Sequence, residues 1–363
     1  VGGGNGCDPQ VSTPVSLTVV VDPGSSTPVF SNGTICVGGS SNVSVTASNG
    51  TGSYTYQWQY STSLAGTYTN VVAATPAGST YANATTATMT ISGITAASNY
   101  YYRCIVNATG NGCTSANSGG ALLAVVADPA IATNPVAGSI CIGGTYAPTI
   151  TATGGTPSLT YQWQYSPDNV TFSNVTNGAP AGSTYANPTS NNTFSVSGIT
   201  AAGTYYYRCQ ASAAGSGCGT ATSTAAALTV AADPLITAQA MSNGTICVGG
   251  TSTASVTTTG GAATFQWQYS TSLAGTYTNV VNATPAGSTY GTPTAASTTI
   301  AGITAAGTYY YRCLVGGGNG CDPQVSTPVS LTVVADPGSS TPTFSNGTIC
   351  VGGSSNVSVT ASN

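Results

Sequence analysis

The amino-acid sequence predicts an all-β chain made of tandem antiparallel β-sandwich domains, about 105 residues per repeat. Three observations lead to that class. Short motifs recur in register along the chain, which marks a repeat architecture. The segments between turn residues alternate apolar and polar with a period of two. A tryptophan falls at the same place in each copy, in what reads as the third strand.

The motifs set the boundaries. "ICVGG" or "ICIGG" places Cys36, Cys141, Cys247 and Cys350; "QWQYS" carries Trp58, Trp163 and Trp267; "YYYRC" ends at Cys104, Cys209 and Cys313. Asp-Pro punctuates the units at Asp22-Pro23, Asp128-Pro129, Asp233-Pro234 and Asp336-Pro337. The reading is three full repeats, 23–128, 129–233 and 234–336, with the C-terminal part of a preceding repeat at 1–22 and the N-terminal part of a following one at 337–363. Residues 1–49 return at 315–363 with only Val21/Ala335 and Val29/Thr343 changed, as in a window on a longer array.

Within the first repeat the strands follow in order. "SNVSVTAS" (41–48) turns Val43, Val45 and Ala47 to one face after a Gly-Gly-Ser-Ser turn. "YTYQWQYS" (54–61) gathers Tyr54, Tyr56, Trp58 and Tyr60, with Gln57 and Gln59 facing out. "TATMTISGI" (86–94) alternates, "YYYRCIV" (100–106) sets Tyr100, Tyr102 and Cys104 inward, and "GALLAVVA" (120–127) ends the unit. No segment has a helical period with caps. About seven short strands per repeat around a buried Trp argue a sandwich.

Composition excludes several classes of function. Charged residues are 3% of the chain: three arginines and seven aspartates, with no Lys, Glu or His. Imidazole bases and imidazole metal ligands are therefore absent. Three arginines cannot neutralise a phosphate backbone, so no nucleic acid is expected as a partner. No uncharged apolar run is long enough for a membrane span. An acid pair for catalysis needs two carboxylates in one cleft. Asp168 belongs to one repeat and the other aspartates mark loops and junctions, so the chain reads as no enzyme, with no catalytic residue, no cofactor and no metal. A single Asp at each junction is too few oxygens for calcium; Asp-Pro reads as a turn that stiffens the linker.

The residues resemble a family. Tyr102-Arg103-Cys104 matches the Tyr-x-Cys of an immunoglobulin F strand, and Trp58 the strand-C tryptophan. The pattern "ICVGGSSNVSVTAS…YQWQYS…YYYRCIVNATGNGC" resembles the immunoglobulin-like (Ig-like) repeats of secreted bacterial surface proteins, adhesins and fibres, of Bacteroidetes type, over the whole chain. The resemblance implies tandem Ig-like sandwiches with Trp58, Trp163, Trp267, Tyr102, Tyr207 and Tyr311 in the cores. One departure is plain: an antibody-type strand-B cysteine would stand near Ser44, whereas Cys36 lies 22 residues before Trp58.

Each repeat holds three cysteines: Cys36, Cys104 and Cys113; Cys141, Cys209 and Cys218; Cys247, Cys313 and Cys321. Regular cysteines in a β-repeat chain imply an oxidising, extracellular setting. The resembled repeats often carry only the "ICxGG" and "NGC" cysteines, which implies Cys36–Cys113; the mid-strand place of Cys104 implies Cys36–Cys104 instead. Either leaves one thiol over, as a buried small side chain or as a bond to a neighbouring domain or second chain.

Arg103, Arg208 and Arg312 each follow three tyrosines and face outward. They either cover aromatic surface by cation–π contact or contact an adjacent subunit. Asn32, Asn83, Asn107, Asn243 and Asn282 stand among the Asn-x-Ser/Thr glycosylation acceptors. The expected role is structural: a segment of a secreted, cell-surface fibre, adhesin shaft or self-assembling filament whose partners are neighbouring repeats and other copies of itself. The alternative is a carbohydrate-binding accessory module of a secreted enzyme, with surface glycans as partners and Tyr60, Tyr68 and Tyr81 as an aromatic platform.

Overall fold

The structure, a computed structural model, describes residues 5, 8, 10–261, 263–317 and 320–362. The remaining residues of the 1–22 segment, Cys7 among them, lie outside the described residues, as do Gly318 and Asn319 before Cys321. The chain divides into two compact units. One takes the residues up to Asn134 together with Ile150–Gln162 and Cys209–Thr224; the other takes Pro135–Thr149, Trp163–Arg208 and Ala225 onward.

In the first unit, the strands of the first repeat are β1 (Gly24–Ser25), β2 (Val29–Phe30), β3 (Thr34–Cys36), β4 (Ser40–Ser44), β5 (Ala47–Ser48) and β6 (Tyr54–Ser61). They continue with β7 (Thr69–Asn70), β8 (Thr80–Ala82), β9 (Thr88–Ser92), β10 (Ser98–Ala108), β11 (Ala116–Asn117) and β12 (Ala121–Val126). One sheet runs β2-β4-β9-β8; the facing sheet runs β3-β12-β10-β6-β7, with β11 against β10. All pairs are antiparallel except β3 with β12, which is parallel and sets Cys36 beside Val126. The expected strand 41–48 divides into β4, which pairs with β2 and β9, and β5, which pairs with β1.

The core follows from the alternation. Val43, Met89 and Ile91 from one sheet and Trp58, Tyr102, Cys104 and Leu123 from the other are fully buried. Trp58 lies opposite Cys104 in the β6–β10 register. Its indole N–H donates to the Thr86 carbonyl at 2.9 Å, which satisfies the one polar atom the core encloses with it. Gln59, expected to face out, is buried instead. Its amide donates to Asn70 of β7 and its carbonyl accepts from Arg103, so the short strand β7 and the arginine cover it.

The second unit holds a whole sandwich from the third repeat. Leu235–Met241, Thr251–Thr259, Ser297–Ala301 and Thr289–Gly291 form one sheet, and Thr245–Cys247, Val329–Val334, Gly307–Gly317, Ala263–Ser270 and Thr278–Asn279 the other. It buries Trp267, Tyr311, Cys313 and Leu331 in the same way. The same unit carries Gly138–Cys141 in parallel with Ala226–Ala231, and Trp163 stacked on Phe194 at 4.4 Å, with Tyr207 beside them. In the first unit, Ala130–Thr133 pairs with Thr151–Thr153. Beyond Pro337 the described chain forms only four two-residue strands, all exposed.

Candidate functional site

Chemistry-bearing side chains are few, and the cysteines are the ones the fold brings together. Strand β3 delivers Cys36 to one end of its sandwich, where a Val37-Gly38-Gly39 turn follows. Cys36 is level with Val126 of β12, and Val125 is level with Ser98, the first residue of β10. Cys113 stands in the loop after β10 ends at Ala108, ten residues further along the strand. At about 3.3 Å per residue that is roughly 30 Å away. A disulfide needs Cα atoms within about 7 Å. The register therefore rules out the expected Cys36–Cys113 bond. The Cys36–Cys104 bond fails for a related reason: Cys104 lies mid-strand and points into the core.

Cys36 instead bonds to Cys218, 182 positions further along the sequence, with Cα atoms 4.9 Å apart. Cys141 bonds to Cys321, 4.8 Å and 180 residues apart. In both, the "ICxGG" cysteine of one repeat joins the loop cysteine of the next. The expectation of pairing inside a repeat is thus corrected for Cys141 and Cys218 as well.

Backbone contacts register the joint around Cys36. Its N–H donates to the Ser216 carbonyl at 2.9 Å, and the Ser40 N–H donates to Ser216 Oγ at 2.9 Å. Gly217 sits at φ +80°, a conformation glycine adopts without strain, and a Cβ there would run into the Gly39 backbone. A Cβ on Gly39 would in turn strike the Ser216 carbonyl. At the second joint Gly320, at φ +82°, abuts Gly144 in the same way. Glycines on both sides let two backbones touch.

The junction aspartates also act here. Both carboxylate oxygens of Asp22 accept from Thr114, from its N–H at 3.0 Å and its hydroxyl at 2.7 Å. Asp233 accepts from the Asp322 N–H at 3.2 Å. Thr114 and Asp322 directly follow the loop cysteines Cys113 and Cys321, so the aspartate that precedes a repeat fixes that repeat's cysteine loop. The hydrogen bonds from Thr114 hold the Asp22 carboxyl below its ordinary value. Sequence reasoning took Asp-Pro for a turn and missed this cap. The signal was the constant coupling of one junction Asp to one loop Cys per repeat.

The third cysteine of each repeat is enclosed. Cys104, Cys209 and Cys313 are fully buried, and their N–H groups donate to Ser118, Ser223 and Ser326. Burial pushes these thiols up to about 11, 12 and 11 respectively. They are core side chains with little thiolate to offer. Among the described residues Cys141, Asp233 and Cys321 cluster closely enough for a metal, but both sulfurs are spent in the disulfide.

Each arginine sits over an aromatic ring. The guanidinium carbons of Arg103, Arg208 and Arg312 stand 4.3, 4.0 and 4.1 Å from the ring centroids of Tyr68, Phe172 and Tyr277. Each Nε donates to a glutamine of the neighbouring strand, Gln59, Gln164 or Gln268. The aromatic platform offered for sugars is not assembled. Arg103 covers Tyr68, Tyr81 packs edge-on against Tyr102, and Tyr60 is half-buried beside it. Of the glycosylation acceptors, Asn32, Asn83, Asn243 and Asn282 are exposed, while Asn107 is half-buried within β10.

In comparisons with known proteins, residues 132–232 match a family model described as a domain of unknown function (DUF8696). None of the curated proteins matches in sequence. Among solved structures, the chain is similar to the three N-terminal domains of the bacteriophage RB49 Highly Immunogenic Outer Capsid protein (Hoc). The TM-score is 0.50 and the identity 12%, covering 85% of this chain and 98% of that one. Titin domains I67–I69, an Ig triplet, align at a TM-score of 0.36 and 12% identity, over 87% and 97% of the two chains. Sidekick-1 immunoglobulin domains 1–4 align at 0.32 and 16%, over 87% and 76%. At such identities the likeness is one of fold. The fold shared with the Hoc domains, the sheet order and the buried Trp–Tyr cores make the chain a tandem series of Ig-like β-sandwiches.

Proposed function

We propose that this chain is a non-catalytic stretch of an extracellular structural array, a fibre or adhesin shaft in which consecutive Ig-like repeats are stapled to one another covalently. The observation that carries the reading is that both disulfides cross a repeat boundary in the same register, Cys36–Cys218 and Cys141–Cys321. A binding module that works alone gains nothing from such bonds. A series that bears tension does, because the staples shorten the covalent path through it. Disulfides also suit an oxidising, extracellular compartment, and nearly uncharged repeats of one design present identical contact surfaces to further copies.

The path gives the test. Between Cys36 and Cys321 the backbone counts 285 residues, but through the staples it runs from 36 to 218, back 77 residues to 141, and across to 321. At about 3.5 Å per extended residue the difference is roughly 700 Å of contour length. Single-molecule extension of the chain held by its ends is expected to fall short by about that amount when oxidised, relative to the reduced chain. Equal full extensions would remove the load-bearing role. A glycan array probed with the chain bears on the other side: saturable sugar binding would favour the accessory-module reading.

A further inference from the structure

Among the described residues Cys113, Cys247 and Cys350 are staple-forming cysteines left free, and Cys247 and Cys113 represent the two sides of the joint. Thr245–Cys247 pairs in parallel with Val329–Val334 and sets Cys247 beside Val334, as Cys36 is set beside Val126 and Cys141 beside Ala231. Cys36 and Cys141 are buried under a loop from the next repeat; Cys247 is exposed. It lines an open apolar notch of about 600 Å³ with Ala306, Val333, Val334, Ala335 and Pro337. A Cβ on Gly250 would meet only its own turn, whereas the equivalent Gly39 meets Ser216 of the docked loop.

The complementary half is the loop around Cys113. Gly112 has the same left-handed backbone, φ +79°, as Gly217 and Gly320. Those two abut the Gly-Gly turn of the preceding repeat, while nothing lies within 4 Å of a Cβ on Gly112. The loop is folded for a joint it does not make within this chain.

We propose that the Cys247–Gly250 turn is the socket of a third staple, and that its occupant is the loop of a following repeat with the sequence found at Gly110–Thr114. Residues 337–363 repeat 23–49 with one change, Thr343 for Val29, so the repeat that follows in register is of the first type and its loop cysteine is the counterpart of Cys113. This rests on reading the repeats as a stapled series. Closing the bond releases one proton from each thiol and forms one S–S bond. The electron pair passes to a small disulfide such as oxidised glutathione, which leaves as two thiols.

The test uses the full chain and the same chain lengthened after Asn363 by residues 50–128, which completes the fourth repeat. Both are refolded in a glutathione redox couple, labelled with a thiol reagent without denaturant, and mapped by mass spectrometry. In the 363-residue chain Cys247 is expected to label readily. In the lengthened chain it is expected not to label and to be recovered bonded to the appended counterpart of Cys113. Gly112→Ala in the appended copy is expected to lower the yield of that bond several-fold. Protection of Cys313 and recovery of Cys36–Cys218 in the same sample show that the repeats have folded. Cys247 that still labels in that folded, lengthened chain, or that bonds to Cys350, overturns the inference. Such a result leaves the two observed staples in place, and sugar binding on a glycan array would leave this third staple untouched, so the two readings fail separately.

Discussion

A thiol enclosed beside Trp58 and an arginine laid over Tyr68 show how far each side chain's chemistry is set by its neighbours. Burial raises Cys104, Cys209 and Cys313 to about 11, 12 and 11, and lifts the hydroxyls of Tyr102, Tyr207 and Tyr311 far above their usual value. A group whose folded value is raised adds stability that is whole below its unfolded value and is lost as pH climbs through and beyond it. With unfolded values of 9.0 and 10.0 for these groups, the loss begins near pH 9. The chain has no His, Lys or Glu, and Asp22 and Asp168 are held below the usual carboxylate value. Urea midpoints followed by tryptophan fluorescence are thus expected to stay level from about pH 5 to 8 and to fall above about pH 9. A slope between pH 5 and 8 would contradict this. Arg103→Lys keeps the charge but loses the guanidinium contact with the Tyr68 ring and the Nε bond to Gln59. The expected cost is about 1 kcal/mol in the same measurement.

Among elements, the strand cores were legible and the joints were not. Period-two alternation with Trp58 and Tyr102 on the inward side is a local signal, and it located β6, β9, β10 and β12. The two-residue strand β7 carries no such signal and is held by Gln59, so both it and the burial of Gln59 were missed. The end-to-end placement of Cys36 and Cys113 depends on β3 running parallel to β12, a long-range pairing that spacing alone does not reveal. Identical segments also differ with context: Leu331 is fully buried in its sandwich, while Leu17, in the earlier copy of the same segment, is 90% exposed. The joint offers its own test. Gly217→Ala puts a methyl group against the Gly39 backbone and strains a left-handed φ. Peptide mapping is expected to show the Cys36–Cys218 bond largely lost and Cys141–Cys321 retained; retention of both would mean that close backbone approach does not govern the joint.

For the molecule as a whole, the two disulfide loops overlap in sequence. A single backbone cut anywhere between Cys36 and Cys321 therefore leaves the pieces joined by at least one bond. On the chain-entropy model each loop of this size adds about 5 kcal/mol against unfolding, taken alone. Tolerance of nicks and resistance to extension are properties that an exposed array would use; bonds kept within repeats would leave a cut between Cys113 and Cys141, or between Cys218 and Cys247, unbridged. The most direct check follows from composition, because trypsin has only three arginines and no lysine to cleave. The chain is unfolded without reduction, its free thiols are alkylated, and it is digested to completion and weighed. The structure requires two linked pairs, 1–103 with 209–312 through Cys36–Cys218, and 104–208 with 313–363 through Cys141–Cys321. Recovery of 1–103 bonded to 104–208 in place of these two pairs would contradict the stapled array.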